Sequence, residues 1–287
     1  MKFSLSQKDL QESLGFCQNV IERRSTLPIL SNVLIEAKNK ILKITATDLD
    51  MIFVHNISNV EIIEEGETTT NSSIMHDIVR KFSATKKVNV EKISDSKLQL
   101  ESEKSLFKLN CIDAKEFPLS EDDQSGETTT VNSQSFLKLL NKCKFSVSND
   151  ETRHYLSGIF LHFNQNEEKN YLTAVSTDSH RMSISKMKLE EQIKFEPIIL
   201  PKKTIYQLCS ILENFNGNIK ILNSKSKIKF VLNNSILTSK LIDGKFPNYV
   251  QVIPKNNNKK LEANLELFYN SVDRVASVST DKKDGVR

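Results

Sequence analysis

Thr177-Asp178-Ser179-His180-Arg181 places a hydroxyl, a carboxylate, an imidazole and a guanidinium in one short string. Those are the residue types of nucleophilic hydrolysis, in which an aspartate orients a histidine that activates a serine. Triad members normally converge from distant segments, however, and the chain has no Gly-x-Ser-x-Gly elbow to expose a nucleophile. So short a string reads as a turn or a surface binding element. His55, His76, His154 and His162 fall into no His-x-x-x-His or Cys-x-x-His spacing, which argues against zinc. Cys17, Cys111, Cys143 and Cys209 are scattered through apolar patterns without a Cys-x-x-Cys pair, as expected of buried free thiols. Seven glycines include no phosphate-cradling loop. No catalytic residue, metal or cofactor is expected.

The basic residues carry more information. Forty basic against 36 acidic residues leave a net charge of +4, so total charge does not establish binding to a polyanion and the distribution must. Lys138, Lys142 and Lys144 lie on or near the polar side of a helical pattern whose apolar face is Phe136, Leu140 and Cys143. Lys202 and Lys203 open another helix, Arg80 and Lys81 close one, and Arg23 and Arg24 end the first. Acidic residues collect in loops, as in Glu61 to Glu67 and Glu121 to Asp123. Taken singly, such lysines are solvated helix surface. If the helices face one way, their summed field attracts a polyanion without reading its sequence.

The elements that would position these charges occur twice. Leu30-Ser31-Asn32-Val33-Leu34-Ile35 is echoed by Leu156-Ser157-Gly158-Ile159-Phe160-Leu161, and Leu42 to Asp48 by Leu172 to Asp178. Ile112-Asp113-Ala114-Lys115-Glu116-Phe117-Pro118 returns as Ile242-Asp243-Gly244-Lys245-Phe246-Pro247. The period of roughly 130 residues is that of a whole domain. Each copy opens with an amphipathic helix: Leu10, Leu14, Cys17 and Ile21 after Ser6, then Phe136, Leu140, Cys143 and Val147 after Ser133. A strand pair follows, Ile29 to Glu36 with Ile41 to Thr47 in one copy and Tyr155 to Phe163 with Tyr171 to Ser176 in the other. A second helix is marked by Ile74, Ile78 and Phe82, and by Ile205, Leu208, Cys209 and Leu212 behind Pro201. Period-two alternation then predicts antiparallel meanders, as at Val88 and Val90 or Ile228, Phe230 and Leu232. The fold class is α+β, with two helices packed on antiparallel sheet in each copy. The connections at Leu119 to Glu127 and Pro254 to Lys260 are short, as in a rigid arc. At Asn264 a third helical pattern starts, with Leu267, Phe268, Val272 and Val275. No apolar run reaches the roughly 18 residues that span a bilayer, and the amino terminus lacks the apolar stretch of a signal peptide, so a cytoplasmic location and no membrane partner are expected.

Several of these strings resemble one family. Met1-Lys2-Phe3, Arg24-Ser25-Thr26-Leu27-Pro28-Ile29-Leu30, Thr47-Asp48-Leu49, Arg153 to Gly158, Thr177 to Arg181 and Thr238 to Pro247 are similar, in the same order, to motifs of the bacterial DNA polymerase III beta subunit, or beta sliding clamp. The resemblance implies a head-to-tail homodimeric ring of three similar domains per subunit. Helices line a hole for duplex DNA and sheets form the outer wall, and the ring gives the replicative polymerase its processivity without catalysis. It implies clamp units at residues 1–120 and 128–253 and the start of a third at 260–287. The implied partners are double-stranded DNA, DNA polymerase III, other replication and repair proteins and a clamp loader. DNA contact falls by resemblance on Arg24 and Lys203, with Lys202, His154 and Tyr155 close by, and on the helix lysines Lys138 and Lys142. Asp150 stands where a polar DNA-contacting residue is usual. Partner peptides would enter an apolar groove whose second-domain side is Leu156, Thr177, Ser179, His180, Arg181, Met182, Pro247, Gln251 and Val252. Ser179 replaces a usual glycine and Gln251 a usual arginine. The competing assignment of Leu156, Met182 and Val252 is core packing.

A third unit of about 27 residues is too short to bury a core. The expectation is a chain that does not close the usual ring alone and binds peptides weakly, with Leu261 to Arg287 frayed or docked. The rival assignments are an enzyme built on His180 with Asp178, and a partner-binding scaffold that does not use DNA.

Overall fold

The computed structural model describes residues 1–22, 26–119, 126–166 and 169–278. They divide into a large unit, Met1–Phe246, and a small one beginning at Pro247. In the first repeat the order is β1 (Lys2–Ser6), α1 (Gln7–Cys17), β2 (Asn32–Lys38), β3 (Ile41–Thr47), β4 (Met51–Ile57), β5 (Val60–Glu64), β6 (Gly66–Asn71), α2 (Ser72–Val79), β7 (Lys87–Ser94), β8 (Lys97–Ser102) and β9 (Ser105–Ile112). The second repeat runs β10 (Glu127–Asn132), α3 (Ser133–Asn141), β11 (Gly158–Asn166), β12 (Lys169–Thr177), β13 (Met182–Leu189), β14 (Ile198–Pro201), α4 (Lys202–Glu213), β15 (Asn218–Asn223), β16 (Lys227–Leu232) and β17 (Ser235–Lys240). All described pairings are antiparallel, in sheets of 13 and four strands. The architecture is therefore the α+β one legible from the two periodicities.

Local sequence explains the helices. Ser6 accepts a hydrogen bond from the backbone N–H of Asp9, while Asn71 and Asn132 cap α2 and α3 in the same way. The cap of α3 is thus Asn132, one residue earlier than the Ser133 that marks its start in the sequence. Pro201 occupies the cap position of α4, where its missing N–H is not needed. Leu10, Leu14 and Cys17 on α1 and Phe136, Leu140 and Cys143 in the second repeat are fully buried, as their spacing requires. Each such side chain contributes roughly 1.5–3 kcal/mol of transfer free energy.

Three expectations are corrected. The first copy opens not on its helix but on strand β1, paired on both sides, with Phe3 and Leu5, and Met1 before them, buried between β5 and β7. Helix α1 ends at Cys17, so Ile21 reaches the core from irregular chain rather than from a helical turn. On α2 the fully buried apolar residues are Met75 and Val79; Ile78 and, just past the helix, Phe82 pack half-buried against the core as their spacing predicts, whereas Ile74 is 52% exposed.

The repeats are joined by a continuous hydrogen-bonded sheet. β17 pairs with β4 from Ser235↔His55 to Ser239↔Met51, and Lys240 adds a salt bridge to Asp50 at 2.9 Å. In the small unit, α5 (Leu265–Ala276) is capped by Asn264, and all of its side chains are exposed.

Candidate functional site

The Thr-Asp strings of the two repeats build the same turn. Thr47 Oγ1 donates to the Met51 carbonyl at 2.9 Å and accepts from the Leu49 N–H at 3.0 Å. In the second repeat Thr177 Oγ1 donates to the Arg181 carbonyl at 2.8 Å and accepts from the Ser179 N–H at 3.1 Å. Asp48 Oδ1 accepts from Asp50 and Met51, and Asp178 Oδ1 from His180 and Arg181. These are Asx and ST turns, in which side chains take the place of backbone acceptors. The third residue of each turn has a left-handed backbone, φ 76° at Leu49 and φ 74° at Ser179. That conformation is why glycine would suit position 179.

What differs is the second oxygen of each aspartate. Asp48 Oδ2 receives the ammonium of Lys203 at 2.5 Å, across the repeat junction. The same ammonium donates to the Val20 carbonyl at 3.0 Å and lies 3.9 Å from Glu22. Asp178 Oδ2 instead receives Nε of its own Arg181 at 3.0 Å, and that guanidinium lies over the Phe145 ring at 5.4 Å. Burial raises the Asp178 pKa, but donation from the Arg181 and His180 backbones and the Arg181 side chain outweighs it, so the carboxyl titrates below its usual range. Ser179 Oγ accepts from Arg153 Nη1 at 2.7 Å, and Arg153 Nε donates to Asp150 Oδ2 at 2.9 Å. Among the described residues, Ser179, His180 and Asp178 are thus committed to the turn and to arginines, with no hydroxyl–imidazole–carboxylate relay.

The residues expected at a peptide groove are placed as follows. Thr177 ends β12, Ser179 to Arg181 form the exposed turn, Met182 begins β13 half-buried, and Leu156 is 2% exposed at the end of a short 3-10 helix. Pro247, Gln251 and Val252 belong to the small unit and are exposed, Val252 at 68%.

Of the residues expected to meet DNA, Arg24 lies outside the described residues. Lys138 is exposed on α3 and Lys142 caps its end. His154 and Tyr155 share the 3-10 helix before β11 and touch edge to face at 6.0 Å. Lys202 opens α4 and hydrogen-bonds Asn149 Oδ1. The Lys203 ion pairs and the Arg153–Ser179 bond were not legible in the sequence, since their partners lie far apart along the chain. Tyr206 was within reach, because it falls one turn after Lys202 on the polar face of α4.

Family models described as the N-terminal and central domains of the DNA polymerase III beta subunit match residues 1–121 and 130–248. The beta sliding clamp of Caulobacter vibrioides is 34% identical over 290 residues, covering all of this chain and 77% of that protein. That of Rickettsia felis is also 34% identical, over 291 residues, covering all of this chain and 75% of that protein. Among solved structures, a DnaN sliding clamp from Bartonella birtlesii bound to griselimycin superposes with a TM-score of 0.93 at 34% identity, over 98% of this chain and 76% of that one.

Proposed function

The chain belongs to the DNA polymerase III beta subunit family, and from that premise we propose how its residues perform the work of a DNA sliding clamp. A sliding clamp holds a replicative polymerase on duplex DNA, and contacts that ignore base identity suit it, because any base-specific bond would pin it in place. The observation that carries the residue assignment is the placement of exposed Lys138 and Lys142 on and at the end of α3 and of half-buried Lys202 at the start of α4. We assign backbone contact to Lys138, Lys142, Lys202, His154 and Tyr155, with Arg24 beside them. Lys203 contributes to the same field but is half neutralised by Asp48 and Glu22, so its first role is to hold the repeats together.

Residues 1–120 and 128–253 are the two repeats of this clamp, non-catalytic and cytoplasmic. On the large unit, partner peptides dock at the turn from Thr177 to Met182 together with Leu156. Head-to-tail assembly with a second copy uses the exposed apolar pair Leu106 and Phe107 of β9, the Phe107 ring lying 5.8 Å from that of half-buried Phe82. A clamp loader delivers the assembly. The deciding experiment loads a closed ring of full-length subunits that contain residues 1–287 onto a nicked circular plasmid with a clamp loader and then linearises the DNA. Retention on the circle at high salt with release on cutting is expected. Equal loss from circle and line at high salt would leave a DNA-binding scaffold but no sliding ring.

A further inference from the structure

A shallow depression of about 690 Å³ opens on α4 where the two repeats meet, and its lining includes Asn19 from the turn after α1, Lys144, Lys202, Tyr206 and Gln207. Tyr206 is 48% exposed, and two ammonium groups approach its ring: Lys144 Nζ at 5.7 Å and Lys202 Nζ at 6.0 Å from the centroid. Both distances lie within cation–π range. Neither ammonium has a carboxylate within ion-pair distance among the described residues, whereas neighbouring Lys203 is engaged by Asp48 and Glu22. The one carboxylate of the lining, Glu213, sits about two turns further along α4. Gln207 ties the floor together across the junction, its Nε2 donating to the Phe16 carbonyl at 2.9 Å.

We infer that Lys144, Lys202 and Tyr206 form a preorganised cradle for the phosphodiester backbone of duplex DNA, a site that presupposes the DNA contact proposed above and adds Tyr206 and Lys144 to it. A flexible lysine on an open surface must lose rotamer freedom when it meets a phosphate. Here the aromatic face holds two such side chains in advance without consuming their charge, because a ring quadrupole attracts a cation but does not neutralise it. The two uncompensated charges then meet an anion, and the exposed ring edge supplies contact area that every sequence can use. Lys203, though adjacent, is excluded by its ion pairs.

The test is equilibrium binding of the full chain to a fluorescein-labelled duplex, followed by anisotropy across a salt series. Replacing both lysines, Lys144→Gln with Lys202→Gln, is expected to shallow the slope of log affinity against log salt by about 1.8, near 0.9 for each phosphate contact. Tyr206→Leu, which removes the ring face but keeps an apolar side chain, is expected to weaken binding about three- to tenfold at low salt, while Tyr206→Phe binds as the parent does. If Tyr206→Leu binds like the parent, or the lysine pair leaves the slope unchanged while Lys138→Gln with Lys142→Gln shallows it, the cradle is overturned and the DNA interface survives. If none of these variants moves the slope, the DNA interface itself is lost. Circular dichroism melts of each variant separate a fold defect from a binding defect.

Discussion

At the scale of the residue, the twin turns show how one sequence string serves two purposes. Thr47-Asp48 and Thr177-Asp178 are recognisable as repeats, but the positive φ of both third residues is not legible in the strings. Leu49 adopts this conformation without glycine's freedom and is 46% exposed, so little packing offsets its strain. A left-handed L-residue costs roughly 1–2 kcal/mol, and asparagine tolerates the region better than leucine. Leu49→Asn is therefore expected to raise unfolding free energy by about 0.5–1 kcal/mol in urea titration, and a decrease would show that the leucine's contacts outweigh its backbone. His55 gives a second expectation. Burial, against the rings of Phe16 and Phe53, lowers its pKa from 6.5, although Glu12 and Asp9 pull the other way. The unfolded imidazole therefore takes up its proton at higher pH than the folded one, and stability falls as pH drops below 6.5. His162, also lowered by burial, acts in the same direction. Melts of His55→Gln should lose less stability on acidification than the parent; an identical acid dependence would assign the loss elsewhere.

At the scale of the element, periodicity reported helices and meanders well because their buried faces run for several turns or pleats. It failed where a signal was short or ambiguous. Strand β1 has only Phe3 and Leu5 between polar neighbours, too few residues to separate a strand from the lead-in to a helix. On α2 the spacing marked Ile78 and Phe82, which do pack against the core, but not Met75 and Val79, which are buried more deeply. The Gly158 position is a case where the motif was legible and its cause was not. A Cβ there would stand 2.4 Å from the Leu200 carbonyl oxygen, on the strand with which β11 pairs. Backbone cannot yield as a flexible side chain does, so the sheet edge and the start of α4 behind it would have to shift. Gly158→Ala is expected to cost about 2–3 kcal/mol or more, within the upper range for overpacking. Chemical denaturation measures this directly, and a change under 0.5 kcal/mol on the same scale would mean that β14 relaxes without resistance.

At the scale of the whole molecule, repetition was the easiest feature to read and assembly the hardest. A duplicated unit announces itself through matching strings, whereas a surface that meets another copy looks, in sequence, like any apolar stripe. Leu106 and Phe107 illustrate this: they sit in an ordinary meander strand, yet they are 52% and 40% exposed on β9, with the Phe107 ring 5.8 Å from that of half-buried Phe82. Exposed apolar residues clustered in this way indicate a partner surface more than scattered ones do. The energetic consequence separates folding from assembly. Charged substitutions at half-exposed positions remove little buried area, so the Leu106→Asp, Phe107→Asp double variant should lose no more than about 1 kcal/mol of unfolding free energy. The same two charges would be desolvated in an interface and left unpaired, which is prohibitive there. Sedimentation across a concentration series should accordingly show parent chain associating as concentration rises and the double variant remaining monomeric with an unchanged melt. If the two sediment alike at every concentration, the β9 patch is not the assembly face, and the apolar side of α5, where Leu267 and Phe268 are exposed, becomes the next surface to test.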